Sequence, residues 1–343
     1  MVALRKPHPA MRKNIHPRPA LVTTLTDDIR RACARVVENA RHVRICEEKI
    51  PDYAEKIMPH FPYENLWHSE GWHFHSNDEE AMAAYVLALD SINFGSGYFS
   101  ALEKRPGLSG YMTIATWLTD RFQQEPLTAH DMKNMSPRRC AGIFAQDFEN
   151  PEMRELMEYF SKALNETGMH ILDSFGGRFL DFVAAAEGSA VCFAQNLAGL
   201  PQFSDIAHYK GFAVPFFKRA QIAAADIHLA FEGQGPGYFH DLDQLTVFAD
   251  NAVPHVLRME GILHYTPELA ARIDAEELLE PGSEEEVELR ALAICAADKI
   301  VSALHDLGLR DVMAMNLDHY LWDSSHRPEY AEKPKHRTQT VYY

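Results

Sequence analysis

Apolar residues recur at three- and four-residue spacing along most of this chain, which is the period of amphipathic helices. Asp27 to Ala40 carries Ile29, Cys33, Val36 and Val37 at that spacing, with Thr26 placed to cap it and Asp27 and Asp28 in its first turn. Asn77 stands ready to cap an apolar helix from Asp78 to Leu89, whose Glu79 and Glu80 suit the positive helix start. Helical patterns follow at Ser109 to Phe122, Asn150 to Leu164, Gly168 to Phe175, Gly177 to Ala186 and Ser189 to Leu197. Phe217 to Phe231 has Ala at five positions, and Thr246 to Met259 is interrupted near Pro254. Thr266 and Pro267 open a helix to Ile273, and Ser283 with Glu286 has the spacing of a capping box for a helix through Ala303.

Strand patterns are few. A short strand is expected within Asp90 to Phe99 and a small sheet in the N-terminal half; nothing alternates as βαβ, and no period repeats. The fold class expected is mostly α with minor β. Residues 1–20, rich in Pro and basic residues, read as a flexible N-terminal extension, and 21–343 as a single domain. Pro201 to Pro215 is a loop-rich divider between sub-lobes of about 21–205 and 206–343. The polar stretch after Asp323 ends in Val341-Tyr342-Tyr343, an apolar end expected to pack back on the domain.

Composition narrows the function classes. At 46% hydrophobic and 24% charged the chain has the make-up of a soluble globular protein, and no window approaches a membrane span. A net charge of −16 argues against a duplex nucleic acid partner, which demands a basic footprint, whereas a small substrate needs only one or two cations. Five scattered cysteines without a C-x-x-C pattern fit a reduced compartment, the cytoplasm. Trp72-His73-Phe74-His75 puts two His on one side of an extended segment, too few ligands to argue a metal. Neither glycine-rich nucleotide-loop pattern occurs. The expectation is no cofactor and no metal; the oligomeric state is left open.

Candidate chemistry lies in four segments. Asn316-Leu317-Asp318-His319-Tyr320-Leu321-Trp322-Asp323 sets two carboxylates around an aromatic pair. Such carboxylates can stabilise an oxocarbenium-like sugar or activate water, as N-glycoside hydrolysis requires. In a helix, five residues turn about 500°, so Asp318 and Asp323 would diverge by roughly 140°. One would serve catalysis and the other orient a ligand or cap a helix, or both would be surface aspartates. Leu245 to Asp250 offers Phe248 as a platform and Asp250 as a buried carboxylate, or else a turn aspartate. Lys218 and Arg219 open an apolar helix about 100° apart, so at most one is expected at the centre of its buried face. They suit phosphate capture or carboxylate pairing, or a snorkelling surface pair. Leu89 to Phe94 ends a helix in a polar-aromatic turn with Asn93, and His75 just upstream could donate to a substrate hydroxyl.

Taken in order, these segments resemble the queuosine salvage protein family, the queuosine 5′-phosphate N-glycosylase/hydrolases. The resemblance runs from about His75 to the end. It rests on Leu89 to Phe94, Leu164 to Gly168, Phe175-Gly176-Gly177, Phe217 to Ile222 with Asp226, and Leu245 to Asp250 with Val253-Pro254. Gly282 to Ala291, Tyr320 to Asp323 and Tyr342-Tyr343 complete it. Asn251 and Ala252 stand where that family usually has Tyr-Arg, and Gly95-Ser96-Gly97 where it commonly has aromatics.

The resemblance implies a fold similar to the helix-hairpin-helix DNA glycosylases, with the hairpin at Pro281-Gly282-Ser283. It implies hydrolysis of queuosine 5′-phosphate to queuine and ribose 5-phosphate. No Lys stands where some of those glycosylases carry a lyase nucleophile, which favours simple hydrolysis. The implied catalytic residues are Asp318 and Asp323. Lys218 would lie near the phosphate, Phe248 against the deazaguanine ring and Asp250 at the base, with His75, Asn93, Arg219, Tyr320 and Trp322 completing the substrate-binding set. The competing functions are a helix-hairpin-helix base-excision glycosylase acting on DNA or RNA, and a queuine- or nucleoside-binding protein without turnover.

Overall fold

The structure is a computed structural model that describes residues 24–62, 67 and 71–343; the expected extension, residues 1–20, lies outside the described residues. Among them the chain is mostly helical, with two two-stranded antiparallel sheets. Helix α1 (Leu25–Asn39) starts earlier than its apolar spacing suggests because Thr24, not Thr26, caps it. Thr24 Oγ1 accepts from the Asp27 amide (3.2 Å) and the Asp27 carboxylate accepts from the Thr24 amide (3.1 Å), a capping box. Strand β1 (Val43–Ile45) and helix α2 (Ile50–Ile57) follow.

A first core gathers α3 (Glu79–Ser91), α4 (Gly110–Gln124), α5 (Ala129–Lys133), α6 (Pro137–Ile143), α7 (Pro151–Phe175), α8 (Phe179–Ala184), α9 (Ala190–Ala198) and most of α10 (Lys218–Ala230). Every residue of α3 from Ala81 to Ser91 is buried, so this helix runs through the interior rather than over its surface. Its cap is Asp78 rather than Asn77: Asp78 Oδ1 accepts from the amides of Glu80 (3.0 Å) and Ala81 (3.3 Å). The strand expected within Asp90 to Phe99 is absent. The helix runs to Ser91 and the chain then turns at Gly95, whose φ of 98° suits glycine. Helix α7 is continuous where two helices were expected. Gly168 stays helical inside it because α5 crosses there, and a Cβ would collide with the backbone at Lys133 and Ala129.

A second core joins α1, β1 and α2 to the rest of the chain: β2 (Ile206–Tyr209), β3 (Phe212–Pro215), α11 (Ala252–Met259), β4 (Leu263–Tyr265), α12 (Pro267–Asp274), α13 (Glu284–Asp306) and α14 (Ala314–Ser324). The small sheet expected in the N-terminal half is not confined to it: β1 pairs with β4 from the C-terminal half, Arg44 opposite His264. The loop-rich divider contains the β2–β3 hairpin, turned at Lys210 and Gly211, both at positive φ as a tight hairpin turn requires. Thr246 to Asp250 is not helical. Gln221 binds the Thr246 amide through Oε1 (2.9 Å) and its hydroxyl through Nε2 (3.0 Å), which holds the segment out of a helix. The helix begins only at Ala252, and Pro254 sits harmlessly in its first turn.

The C-terminal stretch packs back, as its apolar end predicts. Tyr343 is buried, its backbone oxygen accepts from the Gly95 amide (3.0 Å), and Arg337 reaches the Gly97 carbonyl (3.2 Å) and Ser100 Oγ (2.9 Å). Gly97 lies so close to the Thr338 backbone that an added Cβ would collide with it. We expect Gly97→Ala to cost about 1–3 kcal/mol, as overpacking against backbone does, lowering the urea midpoint of unfolding. An unchanged midpoint would mean that this contact yields without cost.

Candidate active site

Where the two cores meet, α3, α4, α10 and α14 surround a cavity of about 350 Å³, closed further by residues 248–252 and the C-terminal stretch. That volume suits a small organic ligand. One wall is aromatic, with Trp72, Phe94, Tyr111, Phe248 and Trp322 among its residues. Tyr111 meets Trp322 edge-on at 5.6 Å.

The polar floor comes from two helices. On α10, Lys218, Ile222, Asp226 and Leu229 form one stripe at i, i+4, i+8 and i+11, and all four line the cavity. Phe217 precedes them in the left-handed conformation (φ 48°, ψ 41°), a strained state for a bulky residue. The Asp205 carbonyl accepts the amides of Phe216 (2.9 Å) and Phe217 (3.4 Å), and the Asp205 carboxylate that of Lys218 (3.3 Å), so one residue holds the helix start in place. Asp205 is itself gripped by buried Arg290, at 3.0 and 2.6 Å, and Arg290 Nε also donates to the Ala249 carbonyl at 3.0 Å. The Arg290–Asp205 pair thus fixes both Lys218 and the segment bearing Phe248 and Asp250.

On α14, Asp318 and Trp322 face the cavity four residues apart, and His319 beside them lines it too. Asp318 Oδ1 accepts from the Phe248 amide at 2.7 Å. Burial raises the Asp318 carboxyl well above the usual range; nearby Asp250 adds to the effect, while the Phe248 N–H and Lys218 oppose it. Lys218 Nζ donates to Asn93 Oδ1 (3.0 Å) and the Asn93 carbonyl (3.3 Å). Burial lowers its pKa, against the pull of Asp250, Asp90 and Asp318. Asp226, 4% exposed, is raised strongly by burial and then by Asp90. Asp90, beneath it on α3, is pushed up to about 7 by burial. One buried ammonium therefore stands among carboxyl groups of which three, Asp90, Asp226 and Asp318, are held toward the neutral form by burial.

The ten residues singled out in the sequence divide. Lys218, Asn93, Phe248, Asp250, Asp318 and Trp322 come together in the cavity wall. Asp323 does not: the roughly 140° turn expected of a helix carries it to the outer face, where it pairs with Arg327 at 2.9 Å. Tyr320 points into the second core, its ring 5.7 Å from Phe61 and 5.2 Å from His60. Arg219 is buried like Lys218, because α10 is enclosed on all sides; the expectation that only one of the two could be central gives way to that. Arg219 donates to the carbonyls of Ser91 and Gln202 between Phe94 and Phe203, a strut behind the wall rather than part of it. His75 is exposed outside the cavity. His73 lines the cavity instead, stacked on Trp67 at 4.0 Å and paired with Tyr111 Oη at 3.1 Å; the segment is irregular, so the two His do not share a side.

Sequence reasoning named Asp226 and His73 without placing them in the site, and passed over Lys335 and His326. For Asp226 a signal existed: it shares a helical stripe with Lys218. Lys335 and His326 come from the polar C-terminal stretch, where spacing says nothing about an interior destination. Lys335 donates to Ser325 Oγ at 2.8 Å. Elsewhere, among the described residues, the ligand atoms of His42, Glu284 and Glu288 lie within 4.8 Å of one another. Glu288 is already saturated there, accepting from the amides of Arg41, His42 and Val43 and from Tyr209 Oη, a cap for the turn before β1.

A profile of the family described as queuosine salvage protein matches residues 72–343. A protein of Sphaerobacter thermophilus named queuosine 5′-phosphate N-glycosylase/hydrolase is 37% identical over 316 residues, 90% of this chain and 95% of the relative. Proteins of the same name from Mus musculus and Schizosaccharomyces pombe are each 32% identical. They cover 90% and 78% of this chain and 96% and 82% of their own lengths.

Proposed function

The chain belongs to the queuosine salvage protein family, and on that premise we propose that it hydrolyses the N-glycosidic bond of queuosine 5′-phosphate, releasing queuine and ribose 5-phosphate. The observation that carries the reading is Asp318: a buried carboxyl, held by the Phe248 amide, at the edge of an aromatic cavity of nucleotide size. Breaking the bond leaves positive charge on the sugar. Asp318, as carboxylate, faces C1′, stabilises that charge and takes the proton of the attacking water. Lys218 helps to keep Asp318 ionised. Phe248 and Trp322 flank the planar base, and Asp250 reads its exocyclic groups. A dianionic phosphate beside Lys218 would meet the same carboxyl groups, so the phosphate end lies instead toward Lys335, His326 and Lys104 on the cavity wall.

We extend the reading to the fold and its setting. The Pro281-Gly282-Ser283 turn, helix α13 and then Asp318 follow the order of helix-hairpin-helix glycosylases. A small nucleotide rather than a duplex fits the net charge of −16, and five free thiols suit the cytoplasm, where queuine is needed for tRNA modification. The test is to incubate the protein with queuosine 5′-phosphate and with the nucleoside and look for free queuine by mass spectrometry. Release from the phosphate is expected. No release from either would overturn the reading, and tight binding without turnover would replace it by a carrier.

A further inference from the structure

Resting on that reading, we propose that Asp226 is a catalytic acid of this site: a neutral carboxyl that delivers a proton to the departing base while Asp318 attends to the sugar. The ring system makes such a donor necessary. A 7-deazapurine has carbon where a purine carries N7, so the usual site for protonating a leaving purine is missing. The proton has to arrive at N3 or at the leaving nitrogen itself, from a group that is still protonated near neutral pH.

Asp226 meets that requirement by position. It lines the cavity yet is 4% exposed, and it makes no hydrogen bond to any described residue, so its carboxyl points at the space a ligand would fill. Its neighbours deny it a charge. From α3 come Asp90 and Tyr85, from α4 Tyr111, from α14 Asp318. On its own helix Lys218 acts on it directly, while Arg219 acts on Asp90. Helix α9, packed on α10, offers no charged side chain. Asp90 binds Asn93 Nδ2 through one oxygen (3.1 Å) and leaves the other, fully buried, without a partner among the described residues. Lys218 directs its hydrogen bonds to Asn93 and supplies no counter-ion contact to either Asp. Two buried carboxyls that interact with each other and have no ion-pair contact to Lys218 or Arg219 retain a proton, and the member lining the cavity is Asp226.

The step balances. The electron pair of the C1′–N bond passes to the base, and the base takes the proton of Asp226. Water adds to C1′ and gives its proton to Asp318, and exchange through solvent returns a proton to Asp226.

Asp226→Asn keeps the shape and removes the acid. On queuosine 5′-phosphate it is expected to lower kcat about 10²–10⁴-fold, the range of proton delivery, with KM changed only a few-fold. The fall in wild-type rate at alkaline pH should vanish from what activity remains. On 4-nitrophenyl riboside 5-phosphate, whose leaving group departs without a proton, the variant should stay within about threefold of wild type, while Asp318→Asn fails on both substrates. Wild-type kcat in Asp226→Asn overturns the proposal. So does an alkaline fall that persists in the variant, or an equal loss on the two substrates, which would mark Asp226 as structural. Wild-type protein inert toward both substrates would overturn the hydrolase reading itself.

Discussion

Replacing Asp318 by Asn is expected to lower kcat for base release about 10³-fold, roughly 4 kcal/mol of transition-state stabilisation, with the fold intact. The amide keeps the size of the carboxyl and can still accept from the Phe248 N–H, so α14 and the 246–251 segment should stay in register. What it loses is the negative charge that grows in value as the sugar becomes cationic. Asp318 is buried, which makes a fixed charge there worth more than it would be in water. Asp323→Asn, on the outer face of the same helix, should remain within about twofold of wild type. Parallel kinetics on the two variants check the assignment; a kcat for Asp318→Asn within threefold of wild type would sink it.

The same residue sets a pH dependence. The carboxylate is the active form, and burial followed by the charge of Asp250 raises its pKa. Protonation therefore begins at a higher pH than for an ordinary carboxyl, and the acid-side fall of kcat should lie above the usual carboxylate range. Removing the like charge with Asp250→Asn should shift that limb toward lower pH.

The second large effect concerns stability. Arg290→Ala should destabilise the fold by about 3–5 kcal/mol, because it strands the Asp205 carboxylate in the interior and leaves Glu286 short of its cation. Arg290 is 2% exposed, lies over the Phe216 ring at 4.0 Å and reaches the Ala249 carbonyl. Its loss unties the start of α10 from the segment bearing Phe248 and Asp250. Urea unfolding followed by circular dichroism measures the cost. The double variant Arg290→Met with Asp205→Leu should recover part of it, since an apolar pair of similar volume carries no desolvation penalty while Glu286 still lacks its cation. A cost below 1 kcal/mol for the single variant would show that water reaches the site and shields Asp205.

The two effects draw on information of different reach. The helices and some of their caps follow from local chemistry: Thr266 and Ser283 cap where the sequence suggests, whereas Thr26 and Asn77 give way to Thr24 and Asp78. The divergence of Asp318 and Asp323 is equally local, a matter of 3.6 residues per turn. The ends of elements were less legible. Irregular Thr246 to Asp250 reads as helix until Gln221, distant in sequence, takes up the polar groups of Thr246.

By itself the sequence determined a mostly helical chain, the order of motifs that marks its family, and the helix faces on which Lys218, Asp226, Asp318 and Trp322 lie. Only the tertiary structure decided that these faces converge on one cavity, that His73 enters it rather than His75, and that Lys335 returns from the far end to line it. Only there, too, is Arg219 a buried strut and Asp226 a carboxyl short of counter-charge. The reason is physical. Helical spacing is set by bonds between near neighbours, whereas the charge a buried group carries depends on which distant groups the fold brings against it and on the water that fold excludes.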